Sequence, residues 1–123
     1  MELGGARVTL DAKGIFVVTH APQSVLDVEL ARKILDAHAR LAAGRRTPVL
    51  VDARGVRRAD REARVLVAGQ EVAVNASRLA LLVGGSVSAV IGNFFLRVSR
   101  PAYPTRVFSD LDEARAWLLA GAS

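Results

Sequence analysis

The sequence predicts one α/β domain in the order ββαβαβαβα, four helices on a mostly parallel sheet that opens with an N-terminal hairpin. Three observations carry that expectation. Pro48–Ala53 (PVLVDA) and Leu79–Val83 are apolar on both faces, the pattern of strands covered from two sides. Around them the apolar period lengthens from 2 to 3.6, as helices require. At the N-terminus, two alternating segments are separated only by Asp11-Ala12-Lys13-Gly14, too short a link for anything but a hairpin.

In order, Arg7–Asp11 alternates with Val8 and Leu10 on one face, and Ile15–Thr19 returns beside it after Gly14. Pro22 interrupts the chain. Ser24, with Asp27 three residues on, marks a helix start of the capping-box kind, so a first helix is expected over about Val25–Ala43. Val28, Ala31, Ile34, Leu35, His38, Leu41 and Ala42 share its inner face, and Gly44 ends it. After the strand at 48–53, a second helix is expected over about Asp60–Ala76, burying Val65, Gly69, Val72, Ala73 and Ala76. The strand at 79–83 leads through Gly84-Gly85-Ser86 into a third helix reaching about Arg100. Pro101 and Pro104 bracket a turn, Arg106–Phe108 is a short strand, and Ser109 caps a last helix ending before Gly121. A helix between each strand and the next enforces parallel pairing with right-handed crossovers.

The totals bound the class. At 123 residues and 51% apolar composition, a single domain spanning 1–123 can bury a core without covalent staples. No apolar run approaches the ~20 residues of a membrane helix. Zero cysteines exclude disulfides and thiolate metal sites. With no basic-then-apolar leader in MELGGARVTLD, the expectation is a cytoplasmic protein without membrane insertion.

Two stretches carry a family resemblance. TRVFSDLDEARAWLLAG, residues 105–121, resembles the closing pattern of small bacterial SpoIIAA-like proteins at Phe108, Ala114, Trp117 and Leu118. VLVDARGV, residues 49–56, resembles the strand that carries the regulatory loop of STAS domains, the fold of sulfate transporters and anti-sigma factor antagonists. The resemblance implies a regulatory protein-interaction module. In signalling members, a serine in the loop after this strand is phosphorylated. Counted from Asp52, that stretch falls here on Asp60-Arg61-Glu62-Ala63, with Glu62 at the switch position. No serine, threonine or tyrosine lies between Thr47 and Ser77, so nothing in the loop can accept a phosphate.

Candidate sites follow from charge and from the strand edge. Residues 45–64 hold Arg45, Arg46, Arg54, Arg57, Arg58, Arg61 and Arg64 against Asp52, Asp60 and Glu62. Phosphate grips need such charge, but the segment lacks the aromatics that stack bases, which weighs against nucleic acid. A solvated helix start is the plainest reading, and a protein-partner surface at Asp52, Arg54, Arg57, Arg58, Asp60 and Glu62 is the functional one. His20, Asp52 and Ser86 have the residue types of a hydrolytic triad at the carboxyl edge of the sheet, without the Gly-x-Ser-x-Gly elbow. Gly84-Gly85 could face an anion, though a tight turn suffices. His38 reads as a core histidine, since no second ligand lies at helical spacing.

On the third helix, Val87, Val90, Ile91, Phe94 and Val98 form one stripe, expected to cover the sheet. Phe95, Leu96 and Tyr103 fall off it and are expected at an oligomer surface, giving a homodimer. The leading expectation is a non-catalytic interaction module with no cofactor, no metal and an unidentified protein partner. The alternative is a small-molecule or lipid carrier, because SpoIIAA-like folds resemble Sec14-type domains in topology.

Overall fold

The computed structural model describes residues 1–121. Its first two strands, β1 (Ala6–Leu10) and β2 (Phe16–His20), form the expected antiparallel hairpin. Gly14 turns it at φ 83°, and Asp11 Oδ1 accepts from the Lys13 and Ile15 amides at 2.9 and 3.0 Å. The central strand β4 (Thr47–Asp52) pairs in parallel with β2 on one side and β6 (Ala76–Leu82) on the other; β7 (Thr105–Phe108) closes the sheet. The order β1-β2-β4-β6-β7 puts the two doubly apolar runs in the interior.

Between β2 and β4 the structure departs from expectation. Ser24–Leu26 is a short strand, β3, paired in parallel with a second short strand, β5 (Val56–Ala59). The first helix, α1 (Val28–Ala42), starts three residues later than predicted, and Asp27 is its N-cap, accepting from the Leu30 amide at 2.8 Å. Both Ser24 and Asp27 can cap a helix. The later start leaves Ser24–Leu26 free to pair with β5, and from it Leu30 and Ala37 join the predicted inner face while Val28 is exposed.

The predicted second helix is two, α2 (Arg61–Ala68) and α3 (Gln70–Ala73), broken at an extended Gly69. Val65 lies outward and Ala76 belongs to β6; Ala63, Ala68 and Val72 face the core. The final helix, α5 (Leu111–Ala120), is capped by Asp110 rather than Ser109, through the Glu113 amide at 2.9 Å.

The largest correction concerns the third predicted helix. It is α4 (Gly85–Phe94) continued by a π-helical turn over Phe95–Ser99. Val87, Val90, Phe94 and Val98, expected against the sheet, are exposed, Val90 at 67%. Phe95 and Tyr103, expected at an oligomer surface, are buried at 7% and 6%; of the three only Leu96 remains on the surface. The inner face is Ser88, Gly92 and Phe95, at i, i+4 and i+7. Small residues win it because the helix lies close to the sheet: a Cβ on Gly92 would stand 2.9 Å from Val83 Cγ1. Ser88 takes no partner from outside, since its hydroxyl donates to Gly84 O at 2.6 Å and accepts from Gly84 N at 2.8 Å. Phe95 and Tyr103 then fill the space beside this close contact, and the Tyr103 hydroxyl donates to Val67 O at 2.5 Å.

Alternation along the central strands divides the core. Val49, Leu79 and Leu81 join Phe16, Val18, Ile34, Leu35 and Phe95 on one face. Leu50, Ala80 and Leu82 meet Ala114 and Leu118 of α5 on the other. His38 belongs to the first layer, stacked on Phe16 at 4.3 Å with its Nε2 2.8 Å from Thr47 Oγ1. Trp117 and Phe108 pack against the second, and Arg78 lies over the indole at 4.4 Å.

Candidate functional site

The arginine-rich segment is split by the fold. Arg45 and Arg46 stand at the amino end of β4, where they donate to the carbonyls of Ala42 and Ala76. The rest gather at the carboxyl end, around the turn from β4 to β5 and the start of α2. Even there much of the charge is engaged locally. Arg54 holds Asp52 by two parallel contacts, Nε–Oδ1 at 3.0 Å and NH2–Oδ2 at 2.8 Å. Burial pushes the Asp52 carboxyl up, but those bonds from Arg54 outweigh it and leave it below the ordinary carboxylate value. Arg58 reaches Asp60 at 3.1 Å, and Arg57 donates to Gln23 O at 3.1 Å. Glu62 is exposed in the first turn of α2, where its charge favours the helix dipole.

Gly55 fixes this turn by close approach. A Cβ there would lie 2.4 Å from Ala21 O and 2.8 Å from Ala21 C, both backbone atoms with no rotamer to yield. Gly55→Ala is therefore expected to cost about 2–3 kcal/mol, as overpacking does, and chemical denaturation would measure it. A cost within about 0.5 kcal/mol, the scale of ordinary surface changes, would show that the turn relaxes freely.

What sequence reasoning missed is the neighbour of these arginines. The exposed face of α4 stands beside β5, and between them runs a surface groove of about 270 Å³. Val90, Ile91, Phe94 and Ala59 supply its apolar surface; Arg57, Arg58 and Arg64 supply its basic wall. The Arg64 guanidinium lies 4.4 Å from the centroid of the Phe94 ring, a cation–π contact that ties α2 to α4. The outward valines were legible as residues; their direction was not.

A second space lies beneath the groove. It is a cavity of about 100 Å³ between the sheet and α1, α2 and α4, lined almost wholly by apolar side chains such as Phe16, Val49, Leu81 and Phe95. Four polar residues line it: His38 and Tyr103 are hydrogen-bonded to Thr47 and Val67, whereas His20 Nδ1 and Arg64 Nε are buried without a hydrogen-bond partner. Burial lowers the His20 pKa to about 4, against a smaller opposing pull from Asp52, so the ring is neutral at pH 7.

The three triad-type residues do not assemble. Asp52 is committed to Arg54, His20 Nδ1 has no partner, and Ser86 is exposed on the first turn of α4. Gly84-Gly85 is a turn, with Gly85 at φ 83° and the Gly84 amide bonded to Ser88. Among the described residues no group of three or more His, Asp or Glu side chains could hold a metal ion, and no helix is long and apolar enough to cross a membrane.

A family model described as a domain of unknown function, DUF7793, matches residues 8–120. The chain belongs to the DUF7793 family. No curated protein matches its sequence. Among solved structures, this DUF7793 chain is similar to an uncharacterized DUF3478-family protein with a SpoIIAA-like fold from Shewanella loihica, with TM-score 0.68 and 17% identity. That alignment covers 96% of this chain and 97% of the other. It is also similar to an anti-sigma factor antagonist from Mycobacterium paratuberculosis, with TM-score 0.63, 15% identity and coverage of 93% and 92%. The DUF7793 chain thus has the SpoIIAA-like fold that the β4 and α5 segments resemble in sequence. At these identities the likeness is one of fold.

Proposed function

We propose that this DUF7793 domain is a non-catalytic, cytoplasmic interaction module that docks an acidic, apolar segment of another protein in the groove between β5 and α4. One observation carries the reading: the groove joins four exposed or half-exposed apolar side chains to three arginines on one continuous surface. Exposed apolar side chains rimmed by charge mark interaction sites. The three cations select the sign of the partner. The same argument disfavours a second copy as occupant, because a two-fold contact would set arginine rims against each other. The expected homodimer therefore gives way to a heterologous partner. Regulation by phosphate in the loop after β4 is absent from this reading, since that loop offers no hydroxyl. Fold likeness to an anti-sigma factor antagonist supports the regulatory class of the module.

The test compares proteins retained from native lysate by the wild type, by Val90→Asp and by Leu111→Asp, which adds the same charge on α5. The reading expects a partner kept by the wild type and Leu111→Asp, lost by Val90→Asp and released by salt. Equal retention by all three would overturn it. So would a stable dimer that Val90→Asp dissociates, which would make the occupant a second copy.

A further inference from the structure

The exposed apolar face of α4 is longer than the groove beside it. Val90, Ile91 and Phe94 line the groove, but Val87 and Val98 lie outside it toward either end of the helix, exposed at 56% and 60%. At 3.6 residues per turn, Val87, Val90 and Phe94 fall within an arc of about 60° and span about 10 Å along the helix axis. The charge around them has one sign. No Asp or Glu occurs between Glu71 and Asp110, so α4 and the π-helical turn after it carry no acid, while Arg97 and Arg100 stand exposed at their end. Among the described residues, Arg57, Arg64, Arg97 and Arg100 form no ion pair. A straight apolar ridge beside uncompensated cations sets both the shape and the sign of what covers it.

We propose that the docked segment is an amphipathic α-helix lying along α4, with apolar side chains at i, i+4, i+7 and i+11 and carboxylates along the flank that faces Arg57, Arg58 and Arg64. The inference rests on the docking reading above and gives the partner a conformation. Spacing selects the helix. Val87 to Val90 is about 4.5 Å of axial rise and Val90 to Phe94 about 6 Å, and the three- and four-residue steps of a partner helix repeat those intervals. Same-face side chains of an extended strand recur at about 6.6 Å, so over two steps it runs about 3 Å out of register. The backbone argues the same way. An extended segment needs partners for its amides and carbonyls, and those of α4 are engaged within the helix. A helical segment arrives with its hydrogen bonds already made, and its apolar face supplies the contact. Reaching from Val87 to Val98 takes about three turns of such a helix.

Synthetic peptides about 18 residues long, enough for an isolated helix to be populated, are the probes, titrated with the full chain and followed by fluorescence anisotropy. The first carries leucine at i, i+4, i+7 and i+11 with glutamates along one flank. The second has the same composition with leucine and glutamate alternating, and the third is the first with a proline at its centre. The first is expected to bind at one per chain, at least about tenfold more tightly than the other two. Val90→Asp should weaken it about tenfold or more, Leu111→Asp should not, and salt should release it. Val90 and Leu111 are both exposed, so the two variants report contact and not folding. If the alternating peptide binds as tightly, with the same loss in Val90→Asp, the helix is overturned and the docking reading stands. Binding of the first peptide that is indifferent to Val90→Asp would overturn both. No binding by any peptide would overturn the helix, and retention of the chain on phosphatidylglycerol vesicles would then make a lipid surface the occupant.

Discussion

Phe95→Ala is expected to lower folding stability by about 3–5 kcal/mol, while Phe94→Ala lowers it by about 1 kcal/mol or less. The two residues are adjacent and chemically identical, so the contrast isolates position. Phe95 is buried at 7% against Leu81, Val83 and Tyr103 in the main apolar layer, beside a void that already exists. Truncation there removes a full aromatic body and enlarges the cavity, and the close seat of Gly92 prevents the helix from collapsing inward. Phe94 is 42% exposed and its chief partner is the Arg64 guanidinium. Urea unfolding of the two variants would measure the difference. Comparable losses, or the reverse order, would mean that α4 presents the valine stripe to the sheet after all and would remove the groove with it.

The reason that stripe misled lies in what hydrophobic periodicity measures. It ranks residues by apolarity, and by that rank Val87, Val90, Phe94 and Val98 outbid Ser88 and Gly92. Distance to the sheet decided otherwise: only small residues fit where a Cβ would meet Val83. Phe95 follows Ser88 and Gly92 at ordinary helical spacing, so the buried face is periodic but is marked by small residues rather than by the most apolar ones. Burial from both sides is different. β4 and β6 read correctly because a strand apolar on both faces has no solvent-facing alternative, and their interior places in the sheet follow. The α5 pattern was equally plain, since Ala114 and Leu118 are fully buried at the spacing of one helical turn.

The candidate site was half legible for the same cause. Its basic wall stood out as charge in the sequence, but VRRA at residues 56–59 reads only as part of the charged run before the helix expected from Asp60, and is β5. Its strand character comes from pairing with β3, a contact across more than thirty residues that local pattern cannot carry. The cavity was illegible altogether. A void is a property of how side chains fail to meet, and neither His20 nor Arg64 advertises that its nitrogen lacks a partner.

Acid is expected to destabilise the domain well above the range where carboxylates titrate. Burial depresses the pKa of His20 and of His38 to about 4. In the unfolded chain both return to about 6.5. Above that value neither state binds the protons, and the native advantage is complete. As pH falls from 6.5 toward 4, the unfolded chain takes up two protons that the native state refuses, so stability is lost across that window, on the order of 2–3 kcal/mol for each histidine. Below about 4 both states are protonated and this loss ends. Asp11 and Asp52, whose pKa values lie below 3.8, extend the decline only at lower pH. The two histidines differ in what holds them. Thr47 Oγ1 is 3.5 Å from Asn75 O, and donating there leaves the hydroxyl oxygen to accept from His38 Nε2–H. The neutral ring is thus fixed by a hydrogen bond and by stacking on Phe16, whereas His20 is held by burial alone. Urea midpoints measured from pH 8 to pH 4 should therefore fall steadily below 6.5, and His38→Gln, less stable at pH 7, should show a shallower fall. A midpoint constant between pH 6.5 and pH 5 would mean that water reaches both rings.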